Sequence, residues 1–213
     1  MSPLDNLKKI YTKVNQLSKD VTIIVVSKTF SMNVIEPLIN YGHNHFGENK
    51  VNEAKDKWLS ILKKNKDLQL HFLGKLQTNK IKDAVRIFSY IHSLDSEKLA
   101  NKLSVEENNS NKKLKYFIQV NTGDEIQKSG ISLKKSNDFI NYCLNNLKLN
   151  VIGLMCLPPL KDDPSKHFKL LFNIAKNNNL KNLSMGMSND YLVALSYGAN
   201  FLRIGSSIFG KRN

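Results

Sequence analysis

The fold is decided by a unit that first occurs between Val21 and Gly42, with the sequence VTIIVVSKTFSMNVIEPLINYG. The apolar run Val21–Val26 predicts a buried strand, and Val34–Tyr41 predicts a helix that ends at Gly42. The same alternation continues along the chain. Further strands are expected at His45–Gly47, Gln69–Leu73, Tyr90–His92, Lys115–Val120, Val151–Cys156, Leu183–Met185 and Phe201–Ile204. Further helices are expected at Pro3–Leu17, Val51–Leu62, Lys80–Ile87, Glu97–Leu103, Leu133–Leu147, Pro164–Asn177 and Asp190–Tyr197.

This alternation predicts an α/β protein with a single (β/α)8 TIM barrel. Strands that are separated by helices are parallel with right-handed crossovers, and eight such units favour a closed barrel over an open doubly wound sheet. The open sheet is the main alternative, but the first strand lacks the glycine-rich turn of a dinucleotide site. Only Ser207–Asn213 follow the last strand, so we expect the N-terminal helix to cap that gap in the outer ring.

Length and charge limit the class of protein. The chain has 213 residues, 41% of them hydrophobic, which suits one domain that spans residues 1–213. Its net charge of +14 raises the possibility of a nucleic-acid partner. The lysines, however, lie in scattered pairs without a basic arm or interleaved aromatic residues, so a compositional bias explains them and no nucleic-acid partner is expected.

Cysteine usage and hydropathy favour a cytoplasmic protein. Cys143 and Cys156 lack metal-ligand spacing, so no metal is expected. The sequence shows no basic and apolar leader and no apolar run of the roughly 20 residues that cross a bilayer. We therefore expect a cytoplasmic protein without a membrane partner. The polar stretch Glu106–Lys113 is expected to be a surface loop.

Candidate functional residues cluster where the last two strands end. Side chains alternate across a strand, so Arg203 shares a face with Phe201 and Gly205. If that face is buried, the guanidinium needs a hydrogen-bonding partner, which is either a ligand or a structural ion pair. Gly205 and Ser206 follow the eighth strand, and Ser188 follows the seventh. In a (β/α)8 barrel these two loops frequently hold a phosphate, although capping and ordinary turns are commoner uses of serine and glycine.

The first strand adds a candidate nucleophile. Lys28 lies on the same face as Ile24 and Val26, so it points inward if Phe201 does. A lysine at the dry mouth of a barrel can lose its proton and form a Schiff base with an aldehyde. An inward lysine, phosphate loops and a buried arginine together suggest pyridoxal 5'-phosphate (PLP) as cofactor. A phosphosugar aldolase uses the first two features, but it offers Arg203 no ring nitrogen.

The chain resembles the pyridoxal phosphate homeostasis proteins, which share the barrel of the alanine racemase type. The resemblance spans nearly the whole sequence and depends on several ordered motifs. These are Val26-Ser-Lys-Thr29, His45-Phe-Gly-Glu-Asn49, His71-Phe-Leu-Gly-Lys-Leu-Gln-Thr-Asn-Lys80, Ile91-His-Ser-Leu-Asp95, Gln119-Val-Asn-Thr122, Lys128-Ser-Gly130, Gly153-Leu-Met155, Leu183-Ser-Met-Gly-Met-Ser188 and Arg203-Ile-Gly-Ser-Ser-Ile-Phe-Gly210.

The resemblance implies a role for each candidate residue. Lys28 would carry PLP as a Schiff base, Asn49 would lie nearby, and Arg203 would face the pyridine nitrogen. The residues that would hold the phosphate are Ser188, Gly205 and Ser206. The family resembles a carrier or guardian of the cofactor in vitamin B6 homeostasis rather than a catalyst, and PLP-dependent apoenzymes are candidate recipients.

An enzyme remains the alternative. Racemases of this fold also use an arginine at the ring nitrogen, but they resemble two-base enzymes that add a tyrosine from a second domain and a partner subunit. This chain has no room for that domain, so we expect a monomer without significant turnover, and a PLP-dependent amino-acid racemase or lyase is the second hypothesis. His71 and His92 are expected to be core imidazoles rather than general bases.

Overall fold

The computed structural model describes residues 1–123, 125 and 129–210, and its centre is a barrel of parallel strands. Lys128, which belongs to one of the motifs above, lies outside the described residues. The strands are β1 (Thr22–Val26), β2 (His45–Glu48), β3 (Gln69–Phe72), β4 (Tyr90–Leu94), β5 (Lys115–Asn121), the two-residue β6 (Ile131–Ser132), β7 (Val151–Met155), β8 (Asn182–Met187) and β9 (Phe201–Ile204). All eight longer strands were expected from the sequence, with bounds that differ by at most two residues at either end.

The barrel is closed. The sheet order is β4-β3-β2-β1-β9-β8-β7-β5-β6, and an additional pairing of β4 with β5 joins its two sides. Each pairing is parallel, and the first and last barrel strands are in register, with Ile24 opposite Arg203. The expected (β/α)8 barrel is therefore confirmed, and the open-sheet alternative is wrong. Among the described residues, the short β6 pairs with β5 alone, and it was not anticipated.

Helices cover the outside of the barrel. They are α1 (Pro3–Leu17), α2 (Met32–Asn40), α3 (Val51–Lys64), α4 (Ile81–Ile87), α5 (Glu97–Ser110), α6 (Ser136–Asn141), α7 (Pro164–Asn177), α8 (Tyr191–Ser196) and α9 (Ser206–Phe209). Helix α6 has a 3-10 turn before it, Leu133–Lys135, and a π-helical turn after it, Tyr142–Asn146. The helix that we expected over Leu133–Leu147 is thus present as three successive helical types.

One expectation about the helices is wrong. The polar stretch Glu106–Lys113 was predicted to be a loop, but its first half forms the last turn and a half of α5. The buried carboxylate of Glu107 explains this, because its Oε1 accepts a hydrogen bond from the Leu114 N–H at 2.6 Å and another from the Tyr116 hydroxyl at 2.9 Å. These hydrogen bonds attach the end of α5 to the start of β5, and no local hydrophobic pattern in the sequence indicates them.

Two layers of buried side chains follow from the alternation along the strands. The larger layer lies between barrel and helices and includes Phe46, Trp58 and Phe72. The smaller layer fills the barrel itself, where Ile24, Tyr90, Phe117, Met155 and Phe201 form one cluster. Phe201 therefore points inward, as does every residue that shares its face of β9, Arg203 included.

Helix α1 closes the outer ring. Ser2 and Asp5 form a capping box at its start, and Leu7, Ile10 and Val14 are buried. The Asn6 side-chain amide donates a hydrogen bond of 2.9 Å to the Ile208 carbonyl in α9. The expectation that the N-terminal helix fills the gap after the last strand is confirmed. None of the helices in the described part of the chain is both long and apolar enough to cross a membrane.

Candidate functional site

A cavity of about 950 Å³ opens at the end of the barrel where the strands finish. Its volume is within the range of small-molecule sites, and its position is the one that enzymes of this fold use. The structure brings all six residues that the sequence singled out into its wall. They are Lys28, Asn49, Ser188, Arg203, Gly205 and Ser206.

Lys28 lies two residues beyond the end of β1 and is half-buried at the cavity wall. Ile24 and Val26 face the barrel interior and the cavity. Lys28 follows Val26 by two residues and lines the same cavity, so it lies on the face that the alternation along the strand predicts. The segment around it is held from the outer side of the barrel. Lys57 donates a hydrogen bond of 3.0 Å to the Ser27 carbonyl, and the Thr29 N–H donates one of 2.6 Å to Glu53.

The second support of this segment is the buried carboxylate of Glu48, at the end of β2. Its Oε1 accepts hydrogen bonds from the Ser27 hydroxyl at 2.8 Å, from Trp58 Nε1 at 2.9 Å and from Lys57 Nζ at 3.0 Å. The residue is fully buried, so its charge depends on these donors. Ser27 is thereby fixed outward, and the next residue, Lys28, is directed to the mouth of the barrel. Sequence reasoning missed this network, because its members come from two strands and one helix.

Arg203 is the buried cation of the site, with 5% of its surface exposed. One terminal nitrogen donates a hydrogen bond of 2.6 Å to Ser184 Oγ, and the other donates one of 2.9 Å to the Cys156 carbonyl. Burial lowers the pKa of Arg203 to about 10, so it stays charged at neutral pH. A guanidinium has five N–H donors, and these two partners are neutral. An acceptor on the cavity side would take one of the three remaining donors.

The loops after β8 and β9 are joined by one hydroxyl. Ser188 Oγ accepts hydrogen bonds from the Gly205 N–H at 3.3 Å and from the Ser207 N–H at 3.1 Å. Gly205 has a φ of −121°, so its backbone does not require glycine. Ser206 is exposed and is the first residue of α9. Hydroxyls and backbone N–H groups in such a turn are typical partners of a phosphate.

Asn49 follows β2 and lines the same cavity. Its side-chain Oδ1 is buried and has no hydrogen-bond partner among the described residues. Buried polar atoms are normally satisfied, so this oxygen indicates that a donor belongs in the cavity. Its backbone is held closely by the neighbouring loop, where a Cβ on Gly74 would collide with the Asn49 carbonyl oxygen.

Metal and thiol chemistry find no support at this site. Within the described ranges, no group of three or more His, Cys, Asp and Glu side chains is arranged to hold a metal ion. Burial raises the pKa of Cys156 to about 12, so its thiol is not a nucleophile at neutral pH. Cys143 is fully buried in the outer core.

Sequence reasoning also missed what lies beneath Arg203. Ser184, His92, His71 and His45 form a series of hydrogen bonds that leads from Arg203 into the barrel interior. His71 and His92, the two imidazoles that were expected in the core, belong to this series. The signal was present, because His45, His71 and His92 lie at inward-facing positions of β2, β3 and β4. Recognising it required the strand pairing, which the sequence pattern does not provide.

The chain has close counterparts among named proteins. The family model of the alanine racemase N-terminal domain matches residues 3–213. A pyridoxal phosphate homeostasis protein of Aquifex aeolicus is 33% identical over 222 residues, which cover 98% of this chain and 95% of the relative. One of Helicobacter pylori is 35% identical over 223 residues, with 97% and 99% covered. The chain belongs to the pyridoxal phosphate homeostasis protein family.

Solved structures agree with this assignment. PipY of Synechococcus elongatus without PLP is 31% identical, has a TM-score of 0.89, and the match covers 97% of this chain and 99% of PipY. PipY with PLP bound is 30% identical with a TM-score of 0.86. An alanine racemase of Clostridium difficile is 15% identical, with a TM-score of 0.76 over 57% of its length, and it shares the fold alone.

Proposed function

We propose that this protein binds PLP in the cavity at the strand ends and serves the intracellular homeostasis of that cofactor. One observation carries the proposal: an inward lysine, an anion-binding pair of loops and a buried arginine line a single cavity. These three features match the aldehyde, the phosphate and the ring nitrogen of PLP. The family relationship supports the same ligand, since PipY has been solved with PLP bound.

Each residue has a defined task in this proposal. Lys28 would hold the cofactor as a Schiff base: its amine forms a C=N bond with the aldehyde carbon, and the aldehyde oxygen leaves as water. The phosphate is held by Ser188, Gly205 and Ser206, and Arg203 donates a hydrogen bond to the pyridine nitrogen. Asn49 lines the same cavity and would contact the cofactor through its side-chain amide.

The arrangement favours holding over turnover. When bound, PLP supplies an electron sink for amino-acid chemistry, but an arginine donor keeps the ring nitrogen unprotonated and weakens that sink. The described residues that line the cavity include no tyrosine or histidine as a second acid-base group. Its aspartates are already engaged, since Asp190 accepts from the Met187 N–H at 2.6 Å and Asp162 pairs with Lys166 at 2.9 Å.

A holding protein needs a recipient. The covalent bond to Lys28 is reversible, because water or another amine can displace it, and we infer that the protein transfers PLP to PLP-dependent apoenzymes in the cytoplasm. The position of Lys28 supports this, since the residue is half-buried and lines the cavity.

The decisive experiment locates the covalent bond. Purified protein loaded with PLP is expected to show a visible absorbance band that borohydride removes, and peptide mapping of the reduced protein should place the adduct on Lys28. Lys28→Ala should lose the band. Lys75→Ala is the matched control, because Lys75 lines a neighbouring pocket and not this cavity. An unchanged band in Lys28→Ala would exclude this anchor.

A second experiment separates holding from catalysis. The loaded protein is incubated with amino acids in deuterated water, and exchange of the α-proton is followed by NMR. We expect exchange no faster than with free PLP. Exchange at enzyme-like rates would instead identify a racemase or lyase.

A further inference from the structure

A continuous chain of hydrogen bonds runs through the barrel interior below Arg203. Ser184 Oγ lies 2.6 Å from the guanidinium and 2.8 Å from His92 Nδ1. His92 Nε2 lies 2.9 Å from His71 Nδ1, and His71 Nε2 lies 2.9 Å from His45 Nδ1. The chain therefore connects the buried arginine at the cavity to a half-buried histidine at the start of β2, which is the other end of the barrel.

The direction of every bond in this chain follows from Arg203. A guanidinium only donates, so Ser184 Oγ must accept from it. Among the described residues the hydroxyl proton of Ser184 has no other acceptor than His92 Nδ1, so it donates there. A neutral imidazole that accepts at Nδ1 carries its proton on Nε2. His92 and then His71 are thus Nε2–H tautomers, each donating to the next ring, and His45 follows as the third.

Packing and burial keep the rings neutral and in place. His71 stacks on Tyr90 with ring centroids 4.1 Å apart, and His92 stacks on Phe117 at 4.3 Å. Burial lowers the pKa of both imidazoles well below the usual value, and the pKa of His45 falls to about 4. All three rings are therefore neutral at pH 7, with one donor and one acceptor each.

We propose that Ser184, His92, His71 and His45 are positioning residues that orient Arg203 toward the ring nitrogen of the cofactor. The inference rests on the proposed function, since it concerns the same ligand. An acceptor at His92 commits the Ser184 hydroxyl to point away from Arg203, so the oxygen lone pairs stay available to the guanidinium. Aligned hydrogen bonds polarise one another in a medium of low dielectric constant, which strengthens this hold.

A first test needs no cofactor. Long-range ¹H–¹⁵N NMR of the histidine-labelled apoprotein reports the protonated nitrogen of each ring. We expect the Nε2–H tautomer for His45, His71 and His92 at pH 7. A charged ring or an Nδ1–H tautomer at His92 would overturn the chain, whether or not the protein binds PLP.

The second test uses a matched pair of variants. His92→Asn and His92→Leu remove the ring and leave side chains of nearly equal size, but only asparagine offers an acceptor to Ser184. We expect the affinity for PLP to be about tenfold lower in His92→Leu than in His92→Asn, the effect of about one charge-assisted hydrogen bond. The absorbance maximum of bound PLP should shift only in the leucine variant.

Two further variants complete the test. Ser184→Ala is a small change that should reproduce the shifted absorbance even if His92→Leu fails to fold. Ser136→Ala is the matched control, because Ser136 is as deeply buried but lies in α6 outside the barrel, where its hydroxyl donates a hydrogen bond of 2.8 Å to the Leu133 carbonyl, and the change should leave spectrum and affinity unchanged within about twofold.

Two results would show that these side chains only pack in the core and do not position Arg203. One is equal affinity and spectrum for His92→Asn and His92→Leu, and the other is an unchanged spectrum in Ser184→Ala. A wild-type protein that takes up no PLP would overturn the proposed function, and the positioning role with it, even where the tautomers are as expected. The NMR result thus distinguishes a hydrogen-bond chain that is not formed from a protein that does not bind PLP.

Discussion

At the residue scale, the two serines of the phosphate loops differ in what they support. Ser206 is exposed, so its hydroxyl is available to a ligand, whereas Ser188 Oγ already joins two backbone N–H groups of the last loop. Ser206→Ala should lower PLP affinity by about tenfold or more, from the loss of a hydrogen bond worth roughly 1.5–3 kcal/mol, without changing the free energy of unfolding. Ser188→Ala should lower both. Titration with PLP and urea unfolding measure the two quantities.

The contrast between the serines is the informative result. Equal effects on folding stability would mean that the Ser188 contacts to Gly205 and Ser207 add nothing in the apoprotein. If Ser206→Ala binds PLP as tightly as the wild type, the Ser206 hydroxyl does not contribute to holding the phosphate.

Individual site residues were predictable where position alone determines their direction. The period of two along β9 and β1 is enough to point Arg203 and Lys28 inward, once Phe201 and Ile24 are inward. The partners of Arg203 were not predictable in this way. Ser184 and the Cys156 carbonyl come from other strands, and their approach depends on the strand register.

At the element scale, the end of β2 and the start of α3 act together to hold the Lys28 segment. Lys57→Met should remove the cation that pairs with the buried Glu48 carboxylate. An uncompensated buried charge costs about 3 kcal/mol or more in the free energy of unfolding. Urea unfolding of Lys57→Met, Glu48→Gln and the double variant measures the coupling.

The double variant decides the interpretation. We expect it to be less destabilised than the sum of the single variants, because Glu48→Gln already removes the charge that Lys57 compensates. Strict additivity would show that the two residues stabilise the fold independently, and that the 3.0 Å contact is not energetically coupled.

Elements were predictable where one hydrophobic period dominates. Pro3–Leu17 and Pro164–Asn177 match the structure at both ends, since each begins at a proline that follows a capping residue. The end of α5 was not predictable, because the buried Glu107 carboxylate that fixes it accepts from residues on β5 and just before it. The two-residue β6 is too short to leave a pattern.

At the scale of the whole molecule, closure of the barrel gives the chain two interiors of different chemistry. The layer between barrel and helices is mostly apolar, with isolated buried carboxylates at Glu48 and Glu107, while the barrel interior combines an aromatic cluster with a row of hydrogen-bonded imidazoles. Counting strands predicted the closed barrel. The polar interior could not be predicted from the same count, since an inward histidine and an inward leucine satisfy the alternation equally well.

The buried histidines predict how stability depends on pH. Burial lowers the pKa of His43 and His45 from 6.5 to about 4, and lowers that of His71 and His92 well below 6.5. Well above pH 6.5 these rings are neutral in both the folded and the unfolded state. As the pH falls from 6.5 toward 4, only the unfolded chain takes up protons, so each histidine removes up to about 1.4 kcal/mol of stability per pH unit.

Urea unfolding of the apoprotein at pH 7.5, 6.0 and 5.0 measures this slope of stability against pH, and these pH values lie above the range where the titration of carboxylates dominates. His43→Leu should make the slope shallower by up to one proton, and a wild-type stability that stays constant from pH 7.5 to 5.0 would contradict the neutral, buried histidines.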